Sequence, residues 1–192
     1  PHEDATDPAA WLPLAQQAEV IVSYRQTAGD EALFDRLPRL QAFVRCAVDI
    51  RNIDMPAASR HGILITQASA GFVPAVAEWV LGAMIDLSRS TSDYVLAYRS
   101  GTALPPRMGS ELRHATLGLI GCGQIGRYLC DMALALGMRL AVHDPYADRV
   151  HASAQRVGLD ELLAASDFVV CLARATDANH HLLNAQAFAA MR

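Results

Sequence analysis

Apolar residues fall along this chain in two alternating rhythms. Short, β-branched runs occupy residues 18–24 (AEVIVSY), 40–48 (LQAFVRCAV) and 62–66 (GILIT), and their length and composition predict strands. Between them, residues 30–37 (DEALFDRL) and 54–60 have helical spacing, with Asp30 placed as an N-cap. A longer helix is predicted from Pro74, which suits a first helical position, to about Ser88. Its apolar residues Val76, Ala77, Trp79, Val80, Ala83, Met84 and Leu87 extend round more of the helix than one core-facing stripe requires, so burial on more than one side is expected. The rhythm lapses at residues 100–110 (SGTALPPRMGS), where Gly, Pro and Ser cluster.

From Thr116 the pattern restarts. TLGLIG reads as a buried strand, residues 124–136 as a helix closed by Gly137, and residues 139–143 as a second strand. A helix at 159–165, a strand at 168–172 and a helix at 185–191 behind Asn184 follow. Strands alternating with helices at this spacing predict an α/β protein of two doubly wound, Rossmann-like units with parallel sheets, residues 1–100 and 101–192.

Composition narrows the chemistry. With 52% hydrophobic and 19% charged residues the chain can bury a core, which excludes global disorder. A formal charge of -4 leaves no surplus cation for phosphate backbones, so nucleic acid is not an expected partner. All 16 basic residues are Arg, which removes Schiff-base lysine chemistry and the lysine-dependent phosphate loop. Cys46, Cys122, Cys130 and Cys171 show no ligand or redox spacing, so no metal is expected and a reducing cytoplasm is the simplest setting. The most apolar stretch, residues 72–87, is shorter than the roughly 20 residues of a membrane span and is interrupted by Glu78 and Asp86. No signal segment opens the chain, which starts at Pro1 without Met, so a missing amino end is expected.

Gly121-Cys122-Gly123-Gln124-Ile125-Gly126 follows a predicted strand and opens a predicted helix, and Asp144 stands 18 residues beyond its last glycine at the end of the next strand. In that context each part has a task. Gly121 permits a tight turn, Gly123 lets the backbone approach a pyrophosphate, and Gly126 lets helix and strand pack closely. The N–H groups of Gln124 and Ile125 face the negative charge at the helix N-terminus. Asp144 can accept both ribose hydroxyls of an adenosine and would repel a 2′-phosphate, which predicts NAD rather than NADP. An ordinary glycine turn beside a solvated strand-end acid is the alternative.

Residues 118–146 (GLIGCGQIGRYLCDMALALGMRLAVHDPY) and 159–191 (LDELLAASDFVVCLARATDANHHLLNAQAFAAM) resemble the D-isomer-specific 2-hydroxyacid dehydrogenases, the family that includes phosphoglycerate dehydrogenase. Residues 52–66 and 75–89 look like segments of that family's other domain. The resemblance implies a substrate domain over 1–100, an NAD-binding domain over 101–192 lacking its final strands, an active site in the cleft between them, and a homodimer. It implies hydride transfer between NAD(H) and a small 2-keto or 2-hydroxy acid, with Pro145, Tyr146 and Ala173 beside the cofactor. A nucleotide-sensing, corepressor-like module or an inactive fragment is the alternative. The family's catalytic Arg, Glu and His lie after the segment that ends here at Arg192, so no catalytic residue is assigned.

Where the family has a glycine-rich turn for the substrate carboxylate, this chain has Ala47-Val48-Asp49, which narrows the approach and sets a repelling carboxylate there. Arg25 and Arg51 are the cations expected to face the substrate anion, and Phe72 is expected either to line an apolar pocket or to staple a helix start. Arg174 replaces a proline that commonly follows the nicotinamide-side strand. His180 and His181, adjacent on a loop, are expected to point apart and not to form a ligand pair.

Overall fold

The computed structural model describes residues 8–192. The chain divides into two compact units, Pro1–Gly71 and Phe72–Arg192.

The first unit runs α1 (Pro8–Ala15), β1 (Val20–Ser23), α2 (Glu31–Asp35), β2 (Ala42–Arg45), α3 (Met55–Arg60) and β3 (Leu64–Gln67). Its strands are parallel and in sequential order, β1-β2-β3. A chain that winds in one direction stacks its crossovers on one face, because β-α-β connections are right-handed. That face holds the core: Phe43 with Leu33 and Phe34 from α2, Ala57 and Ala58 from α3, and Leu12 from α1. Asp30 and Asp54 cap α2 and α3 by accepting from the N–H groups of Leu33 and Ala57. The opposite face leaves Val20, Val22 and Leu64 largely exposed.

The second unit opens with α4 (Val73–Arg89) and α5 (Thr91–Arg99), then β4 (Thr116–Ile120), α6 (Gln124–Ala135), β5 (Arg139–His143), β6 (Gln155–Arg156), α7 (Leu159–Ala165), β7 (Phe168–Cys171) and α8 (Ala185–Ala189). Its four strands are parallel in the order β6-β5-β4-β7, the doubly wound arrangement. Helices cover both faces. Leu117, Leu119 and Val142 meet α4 and α6 on one side, while Ile120 and Ala141 meet α7 and α8 on the other.

The division at Gly71 lies ahead of the break expected at residue 100, because Ala77, Val80 and Met84 of α4 pack against Leu129, Cys130 and Ala133 of α6. Helix α4 is also buried along one stripe only. Trp79 is 74% and Leu87 75% exposed, so the described residues cover one side of the helix and leave bare the further side for which a homodimer contact is expected. The short strand β6 and the helices α1 and α5 had no counterpart in the sequence pattern.

Candidate functional site

Strand order in the second unit reverses between β4 and β7, and ligands of open α/β sheets bind outside the carboxyl ends of the strands at such a reversal. Gly121 leaves β4 with φ of +89°, in the left-handed region where a side chain is strained. A Cβ there would also lie 2.7 Å from the backbone nitrogen of Ala173 after β7, so the two loops touch as closely as backbones can. A Cβ on Gly126 would lie 2.8 Å from the Gly121 oxygen, whereas above Gly123 there is open space for 4 Å. Glycine at these positions therefore makes a cradle that is tight beneath and clear above. Helix α6 starts over it with no side-chain cap, leaving the N–H groups of Gly123, Gln124 and Ile125 directed at that clearing.

Asp144 closes one side. Its Oδ2 accepts from the Cys122 N–H at 2.7 Å, and its Oδ1 accepts from the Tyr146 and Ala147 N–H groups at 3.0 Å each. Burial opposes ionisation, but these three bonds and the nearby Arg156 charge outweigh it and hold the carboxyl below its ordinary value. A carboxylate has about four acceptor positions, so one remains open, on Oδ2. That position is available to a hydroxyl group. Pro145 and Tyr146 continue the turn on the surface, with Tyr146 85% exposed. The cradle of the second unit fits a dinucleotide: a clear helix N-terminus for pyrophosphate and an ionised acceptor for a ribose.

The first unit carries a polar recess of about 450 Å³ at the carboxyl ends of its strands, lined by Arg25, Gln26, Asp49, Arg51 and Asn52. Asp49 does not stand as a free repelling charge. Arg51 forks onto it, Nε to Oδ1 at 2.9 Å and Nη2 to Oδ2 at 2.7 Å, and its N–H adds a third bond. That fork holds the Asp49 carboxyl well below the usual carboxylate range. The pair sums to zero, so among the residues lining the recess the positive charge comes from Arg25. Ala47 and Val48 are not among its lining residues; the Ala47 carbonyl accepts from the Ala68 N–H. Phe72 belongs to the second unit, as the residue before α4, and is 38% exposed.

Beneath the recess lies Arg45, only 1% exposed. Its Nη1 donates to the Tyr24 carbonyl, and its Nη2 donates to the Thr27 carbonyl at 2.7 Å and to Asn52 Oδ1 at 3.0 Å. Asn52 in turn donates to the Arg25 carbonyl at 2.8 Å, so one buried guanidinium ties together the two loops that shape the recess. His180 and His181 do not point apart: a left-handed backbone at His181 (φ 55°) brings their rings to 3.9 Å, both on the exposed surface.

Residues 81–192 match the model of the D-isomer specific 2-hydroxyacid dehydrogenase NAD-binding domain. The chain belongs to this dehydrogenase family. Among its relatives, a hydroxypyruvate reductase of Thermotoga maritima is 28% identical over 94% of this chain and 60% of its own length. An (S)-sulfolactate dehydrogenase of Chromohalobacter salexigens is 33% identical over 98% of this chain and 64% of its own. The crystal structure of the TT0316 protein of Thermus thermophilus superposes with a TM-score of 0.88 at 28% identity, covering 96% of this chain and 60% of that one. A D-lactate dehydrogenase of Aquifex aeolicus, complexed with NAD and lactic acid, gives 0.81 at 25% identity, covering 94% of this chain and 56% of that one. The chain thus spans about 60% of the relatives' length.

In this family member the second unit is the NAD-binding domain, and the structure gathers Gly121, Gly123, Gln124, Ile125, Gly126, Asp144 and Ala173 around one clearing. Sequence reasoning missed Arg45, and it missed Arg156, whose charge lies near Asp144. A signal existed for the first: period-two alternation puts residue 45 on the same face as the core residue Phe43, pointing a charge inward.

Proposed function

We propose that the whole protein is an NAD-dependent oxidoreductase that interconverts a small D-2-hydroxy acid and its 2-keto acid. The observation that carries this reading is the cradle at the β4–α6 turn with Asp144 opposite it, in a chain of this family. The helix N–H groups of Gly123, Gln124 and Ile125 hold the pyrophosphate, and Asp144 takes an adenosine ribose hydroxyl. Pro145, Tyr146 and Ala173 border the bound dinucleotide. The nicotinamide, when bound, accepts or returns the hydride. In the first unit Arg25 attracts the substrate anion, with Asp49 and Arg51 as a neutral pair that shapes the recess.

The protein works as a homodimer in the cytoplasm. Support for the dimer is the exposed apolar row of α4 and α5, where Trp79, Leu87 and Leu96 are each more than 70% exposed, a poor surface for a monomer. Four free cysteines favour a reducing compartment, and no described helix is long and apolar enough to cross a membrane.

The test is NADH oxidation by the full-length protein with glyoxylate, pyruvate and hydroxypyruvate. Turnover of at least one acid, faster with NADH than NADPH, is expected. Turnover of none of them, or preference for NADPH, overturns the proposal. Light scattering at micromolar concentration should give a dimer, and a monomer there removes the association claim.

A further inference from the structure

The turn that presents Asp144 is held from outside itself. For the Asp144 Oδ1 to accept from both the Tyr146 and Ala147 N–H groups, residues 144–147 must stay tightly curled. Tyr146 is exposed and supplies little packing to keep them so. The restraint comes from Arg156. Its Nη2 donates to the carbonyl of Asp144 and, at 2.6 Å, to the carbonyl of Ala147, so one nitrogen spans the two ends of the turn. Arg156 itself is anchored on the sheet, where β6 pairs with β5 through Val142. On the far side Arg127 Nη2 donates to the Arg149 carbonyl at 2.9 Å, and its Nε reaches the Cys122 carbonyl at 3.4 Å, tying the same loop back to the glycine turn.

We propose that Arg156 is a positioning residue for cofactor choice: by clamping the carbonyls of Asp144 and Ala147 it keeps the Asp144 carboxylate aimed across the start of α6, and so sets the preference for a free adenosine ribose over a 2′-phosphorylated one. The inference rests on the reading of the cradle given above. Arg156 touches no reacting atom and acts only through the turn.

Two effects of removing Arg156 have opposite signs, which makes the proposal testable. As a bare charge beside Asp144, the guanidinium offsets the carboxylate's negative field, so its loss would make the pocket more hostile to a 2′-phosphate and widen the preference for NADH. As a clamp, its loss frees the turn, the carboxylate swings away from its aimed position, and the preference narrows. The clamp makes two charge-assisted hydrogen bonds to carbonyls of one short turn, whereas an exposed charge acts through water-screened distance, so the positional effect dominates.

The experiment measures dissociation constants of NADH and NADPH by fluorescence on the full-length protein, for the wild type, Arg156→Met and Arg156→Lys, together with amide hydrogen exchange at Tyr146 and Ala147. Arg156→Met should weaken NADH binding about tenfold, leave NADPH within about twofold, and speed exchange at both amides. Arg156→Lys, a point donor unable to span both carbonyls as well, should fall between the two. An NADH-to-NADPH ratio that is unchanged or widened in Arg156→Met overturns the role of Arg156 while leaving the cradle intact. Should Arg156→Met fail to fold, Arg156→Lys decides in the same way, with a wild-type ratio and wild-type exchange counting against the clamp. A wild type that binds neither dinucleotide removes the reading of the cradle, and this inference with it.

Discussion

The two sheets use similar strand sequences in different surroundings. In the second unit, TLGLI of β4 is buried on both faces, with Leu117 and Leu119 at 0% exposure on one side and Ile120 at 2% on the other. In the first, VIVS of β1 is as apolar, yet only the face carrying Ile21 and Ser23 is covered, and Val22 on the other is 66% exposed. The winding explains the contrast: a reversal of strand order puts helices on both faces, and sequential order puts them on one. Continuous apolar strands are the pattern of parallel sheets covered on both sides. Such a run in sequence therefore reports that a strand is suited to two covered faces, not that the described residues supply both covers.

The comparison can be broken most forcefully at β4. Leu119→Ala should destabilise the second unit by about 2–5 kcal/mol in urea unfolding, since both transfer and cavity terms apply at a fully packed site; a loss under about 1 kcal/mol would contradict the two-sided burial. Next in size is Arg45→Met in the first unit. Its two carbonyl acceptors and Asn52 Oδ1 would lose their donor in a buried place, at a cost of about 1–3 kcal/mol, and the loops carrying Arg25 and Asn52 should show faster amide exchange.

The buried thiols of the second unit sharpen the contrast through pH. Burial among apolar neighbours, with Cys122 adjacent, pushes the Cys130 thiol up to about 12 from an ordinary value of 9.0. Unfolded protein releases this proton near pH 9 and folded protein keeps it to about pH 12, so its stabilisation is complete below pH 9 and is lost as pH rises through that window. Cys130→Ala should flatten the alkaline part of the stability profile. In native alkylation at pH 8, Cys46 and Cys171 on the surface should react while Cys122 and Cys130 stay protected. The smallest effect belongs to the bare face: Val22→Thr in this chain should change stability by about 0.5 kcal/mol or less, and a larger loss would mean that the face is covered.

The parts of the fold legible in the sequence are those set by local rules. Caps at Asp30 and Asn184 and the left-handed Gly137 follow from backbone valence, and the cradle follows from glycine spacing before a helix. What escaped reading depends on partners far along the chain. Arg45 is inward-facing against the general rule that arginine is exposed, and its acceptors lie 7 to 21 residues away. Arg156 works on carbonyls 9 and 12 residues back, from a two-residue strand with no periodicity to read. Asp49 was read as an isolated charge because the turn that lets Arg51 fork onto it is a conformation, not a spacing. The boundary of the units was displaced because periodicity marks where a helix lies but not which sheet it packs on.

The central claim is that the second unit holds NAD with Asp144 as the arbiter of the ribose. Titration calorimetry of NADH and NADPH into the full-length protein and its Asp144→Ala variant tests it most directly. The account predicts tighter binding of NADH by the wild type and a preference that narrows in Asp144→Ala. Tighter binding of NADPH by the wild type, or a preference untouched by Asp144→Ala, would contradict it.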